Sequence, residues 1–197
     1  MKKLLSIVVI GLLLNFNANA DDIRDFQIEG MSVGDSLLDY YSKKKIKNFA
    51  KTYYPKSKNF YLREIISNKF KTYDGVQFAL REKDKTYKIY GINGYIFFET
   101  NFKKCLNKMN EIEKELDELF VESSKDEQAN RSHQADNSGK SKQWQIQYLL
   151  DNNGGVVSLE CVDWSNKITK NKGYTDNLNI AFYSKEYETF VRYEAYK

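Results

Sequence analysis

Residues 101–120, NFKKCLNKMNEIEKELDELF, decide how the chain folds. Apolar side chains recur there at steps of three and four residues, which places them along one side of an α-helix. Asn101 or Thr100 can cap this helix. Its lysines come early and its glutamates late, against the helix dipole, so we expect packing on a sheet to hold it. A short coiled-coil seam is the alternative use of this apolar stripe.

Strand patterns precede this helix. In GVQFALRE (75–82), Val76, Phe78 and Leu80 alternate on one face. After a polar turn, TYKIYGINGYIFFE (86–99) carries a second strand and room for a third, with Asn93-Gly94 as a candidate turn. An antiparallel sheet next to the helix follows from this order.

Further strands follow the helix. DNNGG (151–155) separates two alternating runs and so predicts a hairpin, and a third run precedes a short closing helix near Tyr187 and Phe190. The apolar members of these runs are Trp144, Ile146, Tyr148 and Leu150, then Val157, Leu159 and Cys161, then Leu178, Ile180 and Phe182.

Residues 122–142, ESSKDEQANRSHQADNSGKSK, separate the two sets of strands. No side chain in this tract is more apolar than alanine. Such a segment buries too little surface to offset its ordering entropy. We therefore predict a disordered or flexible tract over 122–142.

Residues 1–20 have the pattern of a secretory signal peptide. Lys2 and Lys3 precede an apolar run over 4–14, and Ala18 and Ala20 give an A-x-A cleavage pattern. The apolar run is too short to span a bilayer, and no later segment predicts a transmembrane helix. We expect a periplasmic or secreted protein, and an uncleaved N-terminal anchor is the alternative.

The two cysteines predict a disulfide between Cys105 and Cys161, because an exported protein meets an oxidising compartment. Two separately buried thiols are the alternative. The bond would tie the long helix to a strand beyond the polar tract. We therefore predict a single α+β domain over 21–197, with an antiparallel sheet packed against one long and two shorter helices and a disordered internal tract.

Charge excludes some partners and suggests others. The net charge of the whole chain is only +4, which does not predict nucleic-acid binding. Residues 43–58, KKKIKNFAKTYYPKSK, nevertheless hold seven lysines, no acidic residue and three aromatic side chains. This mixture suits an anionic surface, and a solvated lysine face is the alternative. The candidate residues for anionic-surface binding are Lys43, Lys44, Lys45, Lys47 and Lys51.

Residues 34–37, Gly-Asp-Ser-Leu, spell the signature of one class of serine esterases and lipases. Catalysis by Ser36 needs a base within hydrogen-bond reach, usually a histidine oriented by an aspartate. The one histidine, His133, lies in the polar tract, and Asn130 stands where the class has an aspartate. We therefore predict that the protein is not an enzyme and has no catalytic residue.

A helix explains the same residues. Ser32 and Asp35 fit a capping box, and Val33 and Leu37 then share one face, with Ser36 on the solvated side. No cluster of histidines, cysteines or carboxylates has metal-ligand spacing, and we predict neither a metal site nor a cofactor.

Two resemblances support this architecture. The segments FQIEGMSVGDSLLDYYS, YKIYGINGYIFF, CLNKMNEIEKELDELF and CVDWS resemble a group of small exported proteins from AT-rich marine bacteria, which implies a fold but no activity. Gly30, Met31 and Ser32 are similar to the opening of small outer-membrane-assembly lipoproteins and β-lactamase-inhibitor-like modules. That similarity implies a protein-binding module of the envelope, although this chain lacks the lipid-bearing cysteine.

We therefore expect an exported, non-catalytic binding or interaction protein of the cell envelope, with envelope proteins as partners. A binder of a small ligand or anionic surface through the basic and aromatic segment is the first alternative. A serine esterase of the Gly-Asp-Ser-Leu type is the second.

Overall fold

An eight-stranded antiparallel sheet is the frame on which the rest of the chain packs. This computed structural model describes residues 22–98, 101–121, 123–150 and 155–197. Within those ranges the strands are β1 (Gln27–Ile28), β2 (Met31–Ser32), β3 (Ala50–Tyr53), β4 (Phe60–Ile66), β5 (Gly75–Arg81), β6 (Ile89–Phe97), β7 (Ser124–Ser132), β8 (Lys142–Leu150), β9 (Gly155–Asp163) and β10 (Asn177–Tyr183). β1 and β2 form a separate hairpin, and the sheet runs β3-β4-β5-β6-β10-β9-β8-β7.

The helices confirm the α+β class but not the predicted helix set. The described ranges hold α1 (Lys43–Asn48), α2 (Phe102–Leu119), α3 (Asn166–Lys172) and α4 (Lys185–Tyr193). One long helix is therefore accompanied by three short ones rather than two. Ser42 caps α1 and Ser184 caps α4, each through its side chain.

A helix followed by antiparallel strands occurs twice along the chain. α1 precedes β3 to β6, and α2 precedes β7 to β9, after which α3 leads into β10. The two sets of strands meet where β6 pairs with β10, with Gly94 opposite Ile180. Both faces of the sheet therefore continue across this junction.

The long helix packs on one face of the sheet, which we call the apolar face. Its buried side chains, Cys105, Met109, Ile112 and Leu116, belong to the same cluster as the inward-facing residues of β9 and β10. Cys105 and Cys161 lie at disulfide-bonding distance with Cα atoms 6.0 Å apart, so the predicted pair is confirmed. β5, β8, β9 and β10 also lie where the alternating patterns predict them. The predicted turn at 151–154 lies outside the described residues.

The predicted turn at Asn93-Gly94 is wrong, because both residues lie within the single strand β6. A Cβ at position 94 would lie 2.5 Å from the ring of Tyr73, which is buried against this glycine. The glycine therefore makes room for an aromatic ring on the apolar face.

The prediction of a disordered tract over 122–142 is wrong for the residues that the structure describes there. β7 pairs with β8 along this tract, and backbone hydrogen bonds of a ladder need no apolar side chains. Lys125 of β7 also forms ion pairs with Glu113 (2.7 Å) and Asp117 (2.9 Å) of α2. A polar sequence here means an exposed edge strand, which natural sheets protect with charges.

The turn between β7 and β8 is organised around Asp136. This carboxylate is 5% exposed and accepts hydrogen bonds from the hydroxyl groups of Ser138 (2.7 Å), Ser141 (2.7 Å) and Ser165 (2.8 Å). These bonds, with that of Ser138 first, lower the pKa of Asp136. Ser138 and Ser141 of the polar tract therefore donate hydrogen bonds to a buried carboxylate.

Candidate functional site

Ser36 lies outside any α-helix, so the predicted helix capped by Ser32 is wrong. Ser36 caps a single 3₁₀ turn over Leu37–Asp39. The backbone before it is bonded to β6 instead of forming a helix, because the Gly34 N–H donates to the Ile89 carbonyl at 2.8 Å. Asp35 still accepts from the Ser32 N–H at 2.9 Å, so half of the capping box forms without a helix.

The Ser36 hydroxyl is occupied by backbone groups. Its Oγ donates to the Thr86 carbonyl at 2.6 Å and accepts from the Leu38 N–H at 3.2 Å. His133 follows the edge strand β7, whereas Ser36 forms a β-bridge with Lys88 just before β6. Three strands separate β6 from β7, so the structure does not bring this serine and histidine together.

His133 is half-buried rather than solvated. Its ring centroid lies 4.3 Å from that of Trp164, and its Nδ1 accepts from the Ala135 N–H at 3.1 Å. Burial lowers the pKa of His133 to about 4. This histidine therefore belongs to the turn organised by Asp136.

The structure gathers four of the five candidate lysines on α1 and places the fifth elsewhere. Lys43, Lys44, Lys45 and Lys47 are exposed on this short helix. Lys51 of β3 lies 3.3 Å from the Glu82 carboxylate and 4.0 Å from the centroid of the Tyr61 ring. Its charge is therefore already paired, and anionic-surface binding by these lysines stays a prediction.

The face of the sheet opposite α2 carries two adjacent rows of mainly polar side chains, which we call the polar track. Strand register places directly opposed residues on the same face. The first row, from β7 to β6, is Gln128, Gln145, Glu160, Asn179 and Tyr95. The second, from β7 to β4, is Asp126, Gln147, Ser158, Ala181, Asn93, Gln77 and Glu64.

The helix α4 packs on the same face of the sheet as the polar track and contacts β9 and β6. Tyr187 and Phe190 of α4 form a second apolar cluster with Phe60 and Ala79. A Cβ at Gly91, one row beyond the track, would lie 2.7 Å from the Tyr187 ring, so this glycine allows the close approach of α4. The polar track thus borders an aromatic cluster.

Hydrogen bonds link part of the polar track internally. The Gln77 amide donates to Glu64 at 3.1 Å, and the Asn93 amide donates to Gln77 at 3.2 Å. By contrast, the side-chain oxygens of Asn179 and Gln128 are buried and have no hydrogen-bond partner. Both of these oxygens lie in the first row, on either side of Glu160. Buried acceptors without donors are uncommon, and each calls for an explanation.

Glu160 is the titratable group at the centre of the first row. Burial raises its pKa to about 7, although Arg131 and the Asn179 amide oppose that shift. With the Gln143 amide nitrogen facing Glu160, it donates to Oε1 at 3.2 Å, and the amide oxygen accepts from Arg131 at 3.2 Å. Arg131 thus reaches Glu160 through an intervening amide.

Tyrosine side chains surround this carboxylate. Burial is the main cause of the raised pKa values of Tyr95, Tyr183 and Tyr196, and the negative charge of Glu160 adds to each shift. Tyr54 bonds through its hydroxyl group to Tyr187 of α4. The aromatic cluster therefore extends from α4 to the edge of the polar track.

Sequence reasoning missed the polar track because it considered only the apolar positions of the alternating strands. The signal was present in β8 and β9, where Gln145, Gln147, Ser158 and Glu160 alternate with the apolar residues. Their alignment into rows depends on strand register and on β10 lying between β6 and β9. Neither follows from one sequence.

Cavities, long apolar helices and metal-binding groups are other features of the described residues that could indicate a function. Two shallow cavities of about 410 and 500 Å³ share Asn59 and Arg81, and the smaller one is also lined by Lys185 and Phe190 of α4. No helix in the described ranges is long and apolar enough to cross a bilayer. The same residues contain no group of three or more histidine, cysteine, aspartate or glutamate side chains placed to hold a metal ion.

Comparison with known proteins identifies no relative of this chain. No protein-family model, curated protein or solved structure matches the chain.

Proposed function

We propose that this is an exported, non-catalytic binding protein of the cell envelope and that the polar track is its binding surface. The observation that carries the proposal is the pair of polar rows crossing a sheet face that α4 covers in part. Asp126 of β7 is exposed and Gln145 and Gln147 of β8 are half-buried, so this end of the track is open to a partner, whereas Ser158 and Asn93 in its middle are buried.

The dimensions of the polar track favour a macromolecular partner. Neighbouring strands lie about 4.8 Å apart, so the first row, which crosses five strands, spans roughly 20 Å. Amide, hydroxyl and phenol groups along it supply both donors and acceptors, and tyrosine is enriched in protein interfaces. A surface of this length and chemistry suits a protein segment better than a small molecule.

Site-specific photocrosslinking in cells tests the surface. We would place p-benzoyl-L-phenylalanine at Gln145, on the polar track, or at the exposed Lys114 of α2 as a matched control. We expect one defined adduct from position 145 that is absent at position 114, because only the first probe faces the proposed partner. Equal labelling at the two positions would remove the polar track as the binding surface.

Export is tested separately. The proposal expects the mature chain to begin at Asp21 after cleavage of residues 1–20, which intact-mass measurement on protein purified from the envelope would detect. A cytoplasmic protein that retains Met1 would contradict an envelope function whatever the crosslinking shows.

A further inference from the structure

We infer that Glu160 and Asn179 form the centre of a site that receives a lysine side chain from the partner protein. This inference rests on the proposed function, since it names the chemistry by which the polar track recognises its partner. Register places these two residues directly opposite each other on β9 and β10, with Gln145 and Tyr95 on their outer sides. Directly opposed side chains have Cβ atoms about 5 Å apart.

The site has an acceptor that lacks a donor and a carboxylate that lacks a directly bound cation. Asn179 is 9% exposed, yet its side-chain oxygen has no hydrogen-bond partner. Glu160 accepts hydrogen bonds from the Gln143 and Asn179 amides, while Arg131, the neighbouring cation, stands one amide farther away. An additional donor carrying positive charge would satisfy both the carboxylate and the orphaned amide oxygen.

The charged residues of the polar track also favour a positively charged group from the partner. Its two rows contain the acidic residues Asp126, Glu160 and Glu64, and the described rows contain no lysine or arginine. Arg131, opposite Gln143, is the neighbouring cation. A protein of net charge +4 therefore presents an acidic surface at the place where its partner would bind.

The surrounding tyrosines suit a cation. Tyr95, Tyr183 and Tyr196 lie close enough to Glu160 to feel its charge. Aromatic rings attract ammonium groups, and phenol oxygens accept hydrogen bonds. The Asn179 oxygen is shielded, so an incoming ammonium must displace a side chain. Of the tyrosines near Glu160, Tyr196 follows α4 in the C-terminal tail and is 44% exposed.

An ammonium group fits this site better than a guanidinium group. Arginine binds carboxylates best through two parallel hydrogen bonds, which require both carboxylate oxygens. The Gln143 and Asn179 amides already donate to the Glu160 carboxylate, which leaves fewer lone pairs for a bidentate contact. A lysine ammonium instead directs three donors to separate acceptors, which here are Glu160, Asn179 and a tyrosine oxygen.

Peptide titration followed by NMR tests the inference. The probe is Ac-Gly-Ala-Lys-Ala-Gly-NH₂, compared with peptides that carry Nε-acetyl-lysine or arginine at the same position. We expect chemical-shift changes at Glu160 and Asn179, and affinity at least about threefold higher for the lysine peptide than for either comparison peptide. Equal affinity for the acetylated peptide would overturn the inference, and tighter binding of the arginine peptide would overturn the choice of ammonium.

The pH dependence of the same titration provides a second readout on the unmodified protein. Glu160 must be ionised to bind, and its pKa is about 7, so affinity should fall about tenfold between pH 8 and pH 6. The other charged or titratable groups around it are Arg131, Tyr95, Tyr183 and Tyr196. A flat profile over this range would contradict binding through Glu160.

Two variants complete the test. Glu160→Gln and Asn179→Ala should each weaken binding of the lysine peptide at least threefold at pH 8, whereas Glu118→Gln on the exposed side of α2 should not. Circular dichroism checks that each variant is folded. Unchanged affinity in Glu160→Gln would refute the lysine site alone, because photocrosslinking from position 145 tests the binding surface independently.

Discussion

The two faces of one sheet differ more than any two segments of the chain. The apolar face buries α2, the Cys105–Cys161 disulfide and the aromatic contact of Phe26 with Phe182 (centroids 5.1 Å apart). The polar track on the other face holds amides, hydroxyl groups and a carboxylate, some with unsatisfied oxygens. Because the same strands supply both faces, the difference separates residues that stabilise the fold from residues available for contact.

Removal of the disulfide should give the largest effect and should act through the apolar face. Cys105 and Cys161 are 56 residues apart, and the chain-entropy model gives a loss of about 4 kcal/mol in the free energy of unfolding. Urea denaturation of the Cys105→Ala, Cys161→Ala double variant measures it, with reduced wild-type protein as the comparison. An unchanged denaturation midpoint would mean that the bond is not formed or contributes nothing.

Neighbouring residues of β10 allow a matched test of the two faces. Ile180→Ala on the apolar face should cost about 3 kcal/mol, because it leaves a cavity among fully buried neighbours. Asn179→Ala on the polar track should cost less than about 1 kcal/mol, because the variant also removes an unsatisfied oxygen. Chemical denaturation of both variants decides the point. Equal losses would show that the polar track is part of the stabilising core.

This comparison also explains what the sequence could predict. Apolar periodicity is a property of one segment, so it predicted α2 and the strands β5, β8, β9 and β10 correctly. β7 was missed because an edge strand is held by backbone hydrogen bonds and ion pairs, which leave no apolar pattern. The spacing of Val33 and Leu37 predicted a helix that does not form. Backbone hydrogen bonds from this segment to the carbonyl groups of Tyr87 and Ile89 replace the bonds that a helix would make.

The candidate site could not be predicted for a different reason. Each residue of the polar track is an ordinary polar position in its own strand, and chemistry arises only when register aligns the strands. The disulfide was predictable because the described chain has one pair of cysteines and therefore one pairing. For Glu160, no feature of the sequence distinguishes it from other glutamates.

The smallest expected effect is a change in stability on substitution of Glu160. It is a gain in the free energy of unfolding, whereas the core variants lose stability. Its pKa in the folded protein, about 7, lies above the usual value for glutamate of about 4.3. For a carboxyl group with a raised pKa, stability is greatest below the unfolded pKa and declines as pH rises through the interval from about 4.3 to 7. The ionised carboxylate therefore destabilises the fold at pH 8.

Glu160→Gln should accordingly be more stable than the wild type at pH 8, by on the order of 1 kcal/mol once partial exposure is allowed for, and the gain should disappear near pH 4. Thermal denaturation at several pH values measures this difference, with Glu118→Gln as the control that should follow the wild type throughout. A wild-type protein as stable as Glu160→Gln at every pH would contradict the raised pKa. If the gain is found, the glutamate lowers stability on the polar track, as expected of a side chain that serves contact with a partner.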